Sequence, residues 1–163
     1  MGTKAQELLS IDRHQVIELL NKAYADEWLA YYQYWIGAKV ARGLMRDAVI
    51  AELEQHANEE LGHAGVLANR IIQLGGEPAL SPSDWAGLSN CGYAAPSDPA
   101  VIRVLEQNIK GEQCAIDVYF RLLETIRGKD AVTAHMIMEI LEDEEEHEQD
   151  LQDLLEDIRG AQK

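Results

Sequence analysis

Four apolar stripes run along this chain at the three-to-four-residue spacing of an α-helix, and each is broken near its middle by an acid. The first reads Val16, Leu20, Tyr24, Glu27, Tyr31, Tyr34, Ala38. The second reads Leu53, His56, Glu60, His63, Leu67, Ile71, Leu74. The third is Val101, Leu105, Ile109, Glu112, Ile116, Tyr119, Leu123, and the fourth Ile137, Ile140, Glu144, His147, Leu151, Leu154, Ile158. A helix that buries such a stripe buries its acid too, at a cost of several kcal/mol if the charge finds no partner. The positions of the acids narrow the fold further. Glu27 lies 16 residues before Gly43 and Glu60 lies 17 after it, while Glu112 and Glu144 each lie 16 residues from Gly128. Residues equidistant from the turn of a helical hairpin meet at one level, so all four carboxylates are expected in one slab of the core.

The breakers fit this reading. Helices are expected at about 11–42, 46–74, 98–127 and 130–159, within a single domain covering residues 1–163. Ser10, Asp98 followed by Pro99, and Asp130 are the expected starts, and Gly43, Gly75-Gly76, Gly128 and Gly160 the stops. Short turns at Gly43 and Gly128 make two antiparallel hairpins. Between them EPALSPSDWAGLSNCGYAAPS holds every proline except Pro99, and one short helix is expected around Ser83–Leu88. The fold class is therefore all-α, an antiparallel four-helix bundle with one long crossover between its second and third helices.

Composition excludes several functions. A net charge of −15 opposes binding to nucleic-acid phosphates, and no apolar run reaches the roughly 18 residues of a membrane span. A soluble, cytoplasmic protein is expected. Cys91 and Cys114 are too few for a disulfide scaffold.

The buried acids must be protonated, paired or bound to metal. The stripes offer no Lys or Arg at their level. Both second helices of the hairpins carry Glu-x-x-His, Glu60–His63 and Glu144–His147, which puts carboxylate and imidazole on one face. Two divalent cations would neutralise four carboxylates, and an oxygen-rich shell with imidazole suits iron or manganese better than zinc. One such motif alone signifies little; two, each with a Glu 33 or 32 residues upstream, are specific. The other acids around His147, namely Glu142, Asp143, Glu145, Glu146 and Glu148, read as a solvated face.

The set Glu27, Glu60-x-x-His63, Glu112, Glu144-x-x-His147 resembles the di-iron ferritin-like superfamily, and DEEEHEQDL around His147 looks like bacterioferritin. The resemblance covers about residues 12–159. Tyr34 matches a tyrosine found beside such iron centres. Leu61 stands where bacterioferritin has its haem-ligating methionine, so no haem is expected. A fifth helix, usual in bacterioferritin, is not expected either. The crossover with its short helix is similar to that of Dps proteins. Cys91 in the crossover and Cys114 just after Glu112 resemble the cysteines of the Dps-like thioferritins, which form dodecameric shells.

That resemblance implies a ferroxidase. Two Fe²⁺ would bind at Glu27, Glu60, His63, Glu112, Glu144 and His147, with Glu60 and Glu144 bridging, and hydrogen peroxide or dioxygen as oxidant. Ferric mineral would be stored in a homododecameric shell that protects against oxidative stress, without DNA as a partner. Tyr34 is a candidate electron relay or simply a core aromatic. Cys91 and Cys114 are a candidate redox pair or two small buried hydrophobes. His56, one turn before Glu60 on the same stripe, reads as a satisfied core histidine or as a transient ligand beside the pair, and His14 and His135 as structural or exposed. The alternative is a di-iron or dimanganese peroxidase or catalase of rubrerythrin type that stores nothing, although this sequence has no Cys-x-x-Cys relay motif.

Overall fold

The computed structural model describes residues 2–161 and is a bundle of α-helices. Six helices follow in order: α1 (Thr3–Leu8), α2 (Arg13–Val40), α3 (Arg46–Gln73), α4 (Pro82–Leu88), α5 (Val101–Ile126) and α6 (Ala131–Ala161). The four expected long helices are α2, α3, α5 and α6. The short crossover helix is α4, capped by the Ser81 side chain. The six-residue α1, exposed along its whole length, had no counterpart among the expected elements.

Two helix starts differ from expectation, each for a local reason. Asp12, not Ser10, caps α2 by accepting from the His14 N–H at 2.8 Å. Ser10 instead ties the chain to the Lys129 carbonyl beside the α5–α6 turn. The third long helix begins at Val101 rather than near Asp98. Arg42 donates to the Pro99 carbonyl at 2.7 Å and accepts from Val101 N–H at 2.9 Å. This parallel bridge between Arg42 and Ala100 keeps Ala100 extended, so the helix cannot start earlier. Asp130 does serve α6, accepting from the Thr133 N–H. The tight turn before it relies on Gly128 at φ 76°, a conformation that suits glycine.

The hairpins pair α2 with α3 and α5 with α6. Their interior is two apolar clusters rather than one. Val16, Leu20, Leu67, Ile71, Leu74, Ile126 and Ile137 belong to the first, with Tyr119 at its inner edge. Leu53, Val49, Ala38, Val101, Leu105, Leu151 and Ile158 belong to the second, with Tyr34 at its inner edge. Leu155 is buried near the end of the fourth stripe where Leu154 is only partly so, and Ile116 is only partly buried. Between the clusters lies the polar slab.

One buried ion pair locks the end of the bundle. Arg70 of α3 donates to both carboxylate oxygens of Asp130, at 3.0 and 2.8 Å, and its Nε donates to Thr133 Oγ1 at 2.8 Å. The same Asp130 that caps α6 therefore holds the second hairpin to the first.

Candidate metal centre

All six expected ligand residues lie in the slab, and each is at least 94% buried: Glu27, Glu60, His63, Glu112, Glu144 and His147 expose 1–6% of their surface. Two overlapping groups form. Glu27, Glu60, His63 and Glu144 bring one oxygen or nitrogen each within 4.8 Å of the others, and so do Glu60, Glu112, Glu144 and His147. Glu60 and Glu144 belong to both groups. They occupy the positions from which a carboxylate can span two cations.

The imidazoles point the same ring atom inward. His63 Nδ1 lies 3.3, 3.4 and 3.5 Å from oxygens of Glu60, Glu144 and Glu27. His147 Nδ1 lies 3.4 Å from Glu60 and 3.5 Å from Glu144. Each outer nitrogen meets an acid of the facing helix: His63 Nε2 is 3.0 Å from Asp143, and His147 Nε2 is 2.9 Å from Glu59. An acceptor at Nε2 keeps the proton there and leaves the Nδ1 lone pair free for a cation. Asp143 therefore does not belong wholly to the solvated face assigned to it from the sequence. Its side chain is 52% exposed, yet it fixes His63.

Tyrosines hold the two outer carboxylates. Tyr34 of α2 donates to Glu112 Oε1 on α5, and Tyr119 of α5 donates to Glu27 Oε1 on α2. Tyr119 was not singled out from sequence beyond its place in the stripe, although a signal was present. Tyr34 follows Glu27 by seven residues, and Tyr119 follows Glu112 by seven. Glu59 and Asp143 carried a similar signal, since each immediately precedes a Glu-x-x-His.

Without cations, the slab cannot keep all its carboxylates ionised. Burial, and then the charges of Glu60 and Glu144, push Glu27 well above the usual carboxylate range. Burial with Glu144 and Glu60 does the same to Glu112. Burial opposes charging His147, but the Glu144 and Glu60 carboxylates 3.5 and 3.4 Å from its Nδ1 outweigh it and push the group up to about 11. His63 is likewise raised against its burial by Glu144, Glu27 and Glu60. Glu60 is the ionised centre: burial disfavours its charge, yet His147 and His63 hold it below the usual range. Burial keeps Tyr34 and Tyr119 protonated, as donors must be.

The residues fit a pair of cations. No Lys or Arg reaches these carboxylates among the described residues. Glu27 Oε2, Glu60 Oε1, both oxygens of Glu144 and His147 Nδ1 are buried and have no hydrogen-bond partner. Such atoms are rare in a folded interior unless something positive completes them.

A cavity of about 300 Å³ reaches this slab between α2, α5 and the crossover, lined by Glu27, Tyr34, Glu112 and the two cysteines. Cys91 and Cys114 are joined in a disulfide with Cα atoms 5.9 Å apart. The crossover is fastened there by Asp26, which accepts from Asn90 N–H at 2.8 Å and Cys91 N–H at 2.9 Å. Gln33 adds a second fastening, accepting from Ala94 N–H at 3.0 Å. Stacked rings of Trp28 and Trp85, 5.0 Å apart, hold α4 on α2. His14 and His135 lie outside the slab: His14 sits in the first turn of α2, and His135 faces Glu139 on the surface of α6.

The sequence pattern of the ferritin-like domain matches residues 17–161. The chain belongs to the ferritin-like family. Within that family it is near the Dps and thioferritin branch. It shares 35% identity over 150 residues with the DNA protection during starvation protein of Pyrococcus furiosus, covering 91% of this chain and 81% of that one. The bacterioferritin of Desulfovibrio desulfuricans is 31% identical over 134 residues, covering 82% and 70%. A bacterioferritin-related protein of Bacteroides fragilis, described as a dodecameric thioferritin, superposes with a TM-score of 0.93 at 45% identity, covering 97% and 93%. This ferritin-like chain therefore has the di-iron family's fold, with its carboxylate and imidazole residues gathered in one buried slab. No helix of its described residues is long and apolar enough to cross a membrane.

Proposed function

We propose that this protein is a ferroxidase that takes Fe²⁺ as substrate at the slab, oxidises it in pairs with hydrogen peroxide or, less well, dioxygen, and stores the ferric product in a hollow dodecameric shell. One observation carries the reading: two buried groups of ligand atoms that share Glu60 and Glu144. Two Fe²⁺ give one electron each, so that 2 Fe²⁺ + H₂O₂ + 2 H⁺ yields 2 Fe³⁺ + 2 H₂O. Paired delivery avoids releasing hydroxyl radical.

The protein's part is positioning and charge. Glu60 and Glu144 span the two positions, Glu27 and Glu112 each serve one, and the Nδ1 atoms of His63 and His147 complete them. Four carboxylates and two Fe²⁺ sum to zero charge, which lowers the cost of burial. Glu27, Glu112 and the imidazoles give up the protons they hold in the metal-free state, and peroxide reduction consumes two. Tyr34 and Tyr119 orient the outer carboxylates, and Tyr34 is also placed to relay an electron. The cavity along the disulfide gives a small oxidant access to the slab, and Cys91–Cys114, if reduced, supplies two further electrons beside it. No haem takes part, and manganese can occupy the same oxygen-rich positions.

The shell is supported by the likeness to the dodecameric protein of Bacteroides fragilis. One relative is named for DNA protection, but the charge of −15 here opposes contact with phosphates. A rubrerythrin-like peroxidase would use the same slab without storing anything. Aerobic or peroxide loading followed by gel filtration separates the two. Storage predicts iron retained with the particle far beyond the amount the slabs can hold. Retention of only about two per chain rejects storage and leaves the peroxidase.

A further inference from the structure

The two halves of the bundle match closely at the slab, and one place where they differ is informative. Glu60 and Glu144 are equivalent, 84 positions apart. Shifting by the same 84 positions relates Glu52 to Met136, His56 to Ile140, and Asp150 to Val66. Met136, Ile140 and Val66 lie together beside His63, in a pocket whose acids, Glu139, Glu142 and Asp143, come from other positions. On the flank beside His147 the equivalent positions hold two carboxylates and an imidazole instead.

These three residues converge. Glu52, His56 and Asp150 each place one ligand atom within 4.8 Å of the others. His56 is completely buried, and neither ring nitrogen has a hydrogen-bond partner. Its Nε2 is aimed into the group, 3.1 Å from Glu52 Oε1 and 3.9 Å from Asp150 Oδ2, close to both but out of line for a hydrogen bond. Its ring stacks on His147, with centroids 4.1 Å apart. Glu59, His56 and His147 form a further group of ligand atoms between the pair and this flank. Glu52 and Asp150 have 25% and 41% of their side chains exposed, so the group opens to solvent between α3 and α6, away from the cavity beside the disulfide.

We infer that Glu52, His56 and Asp150 form a third divalent-cation site, separate from the pair, through which metal leaves the slab for the α3–α6 surface. One imidazole with two carboxylates suits Fe²⁺, Mn²⁺ or Zn²⁺. The site itself stands on this geometry, whereas its role in transit rests on Fe²⁺ being the substrate of the slab.

The test uses crystals of the assembled protein soaked in Mn²⁺ and read by anomalous diffraction, for the wild type and for Glu52→Gln/Asp150→Asn. The wild type is expected to show two peaks in the slab and a third between Glu52, His56 and Asp150. The double variant is expected to lose only the third. Filled slab positions with no third peak, or a third peak that survives in the variant, overturns the inference. Peaks at neither place overturn the ferroxidase reading as well. For transit, iron-free protein receives two successive additions of Fe²⁺ with peroxide. The variant is expected to keep the first rapid burst and lose the second, and a full second burst overturns the transit role.

Discussion

Asp143 and Glu59 touch no substrate in the proposed reaction, yet they decide which imidazole nitrogen faces inward. Their hydrogen bonds cross between α3 and α6, so each Glu-x-x-His helix supplies the orienting acid for the other. Replacing Asp143 by Ala should weaken metal binding at the slab about 10–100-fold while leaving the helical fold intact. Anaerobic Fe²⁺ titration beside a circular dichroism spectrum checks this, and unchanged affinity would mean that Asp143 is only a surface acid. Periodicity brought out the six candidate ligands because they interrupt buried stripes. It missed their partners for a physical reason. Asp143 is half-exposed and lies off the stripe, and Tyr119 looks like any other core aromatic until its hydroxyl is seen to meet Glu27.

The elements were legible wherever local chemistry sets them. Long amphipathic stripes, the stops at Gly43, Gly75-Gly76 and Gly128 and the cap at Asp130 give helices that the fold keeps, whereas α6 runs through the expected stop at Gly160 to Ala161. The start of α5 was not legible, because the Arg42–Ala100 bridge that delays it joins segments far apart in sequence. The Cys91–Cys114 bond was equally hidden, since it depends on how Asp26 and Gln33 seat the crossover. The most consequential tie between hairpins is the buried Arg70–Asp130 pair, whose side chains are only 9% and 5% exposed. Arg70→Ala leaves the Asp130 charge unpaired in the interior and should cost about 3–5 kcal/mol. Chemical denaturation of the metal-free protein measures it, and a loss below about 1 kcal/mol would show that water replaces the guanidinium.

For the whole molecule, the slab couples stability to pH. In the metal-free protein, Glu27, Glu112, His63 and His147 hold protons more tightly than they would in the unfolded chain. Such groups stabilise the fold fully below their unfolded values and lose that contribution as pH rises through the folded ones. For His147 the window runs from 6.5 to about 11, and for the two glutamates it begins near 4.5. Glu60 acts in the opposite sense, with its contribution lost only in acid. In the proposed reaction cations take the place of those protons. The rise in Tm on adding Mn²⁺ should therefore grow between about pH 6 and about pH 8, and an equal rise at both would contradict the assignment. The central claim is that the slab holds two Fe²⁺ and oxidises them together. Rapid mixing of iron-free protein with increasing Fe²⁺ and limited peroxide measures it most directly. The account predicts a fast ferric signal that breaks at two Fe²⁺ per chain, one for each group of ligand atoms, and vanishes in Glu60→Ala. A signal of full size in that variant would contradict it.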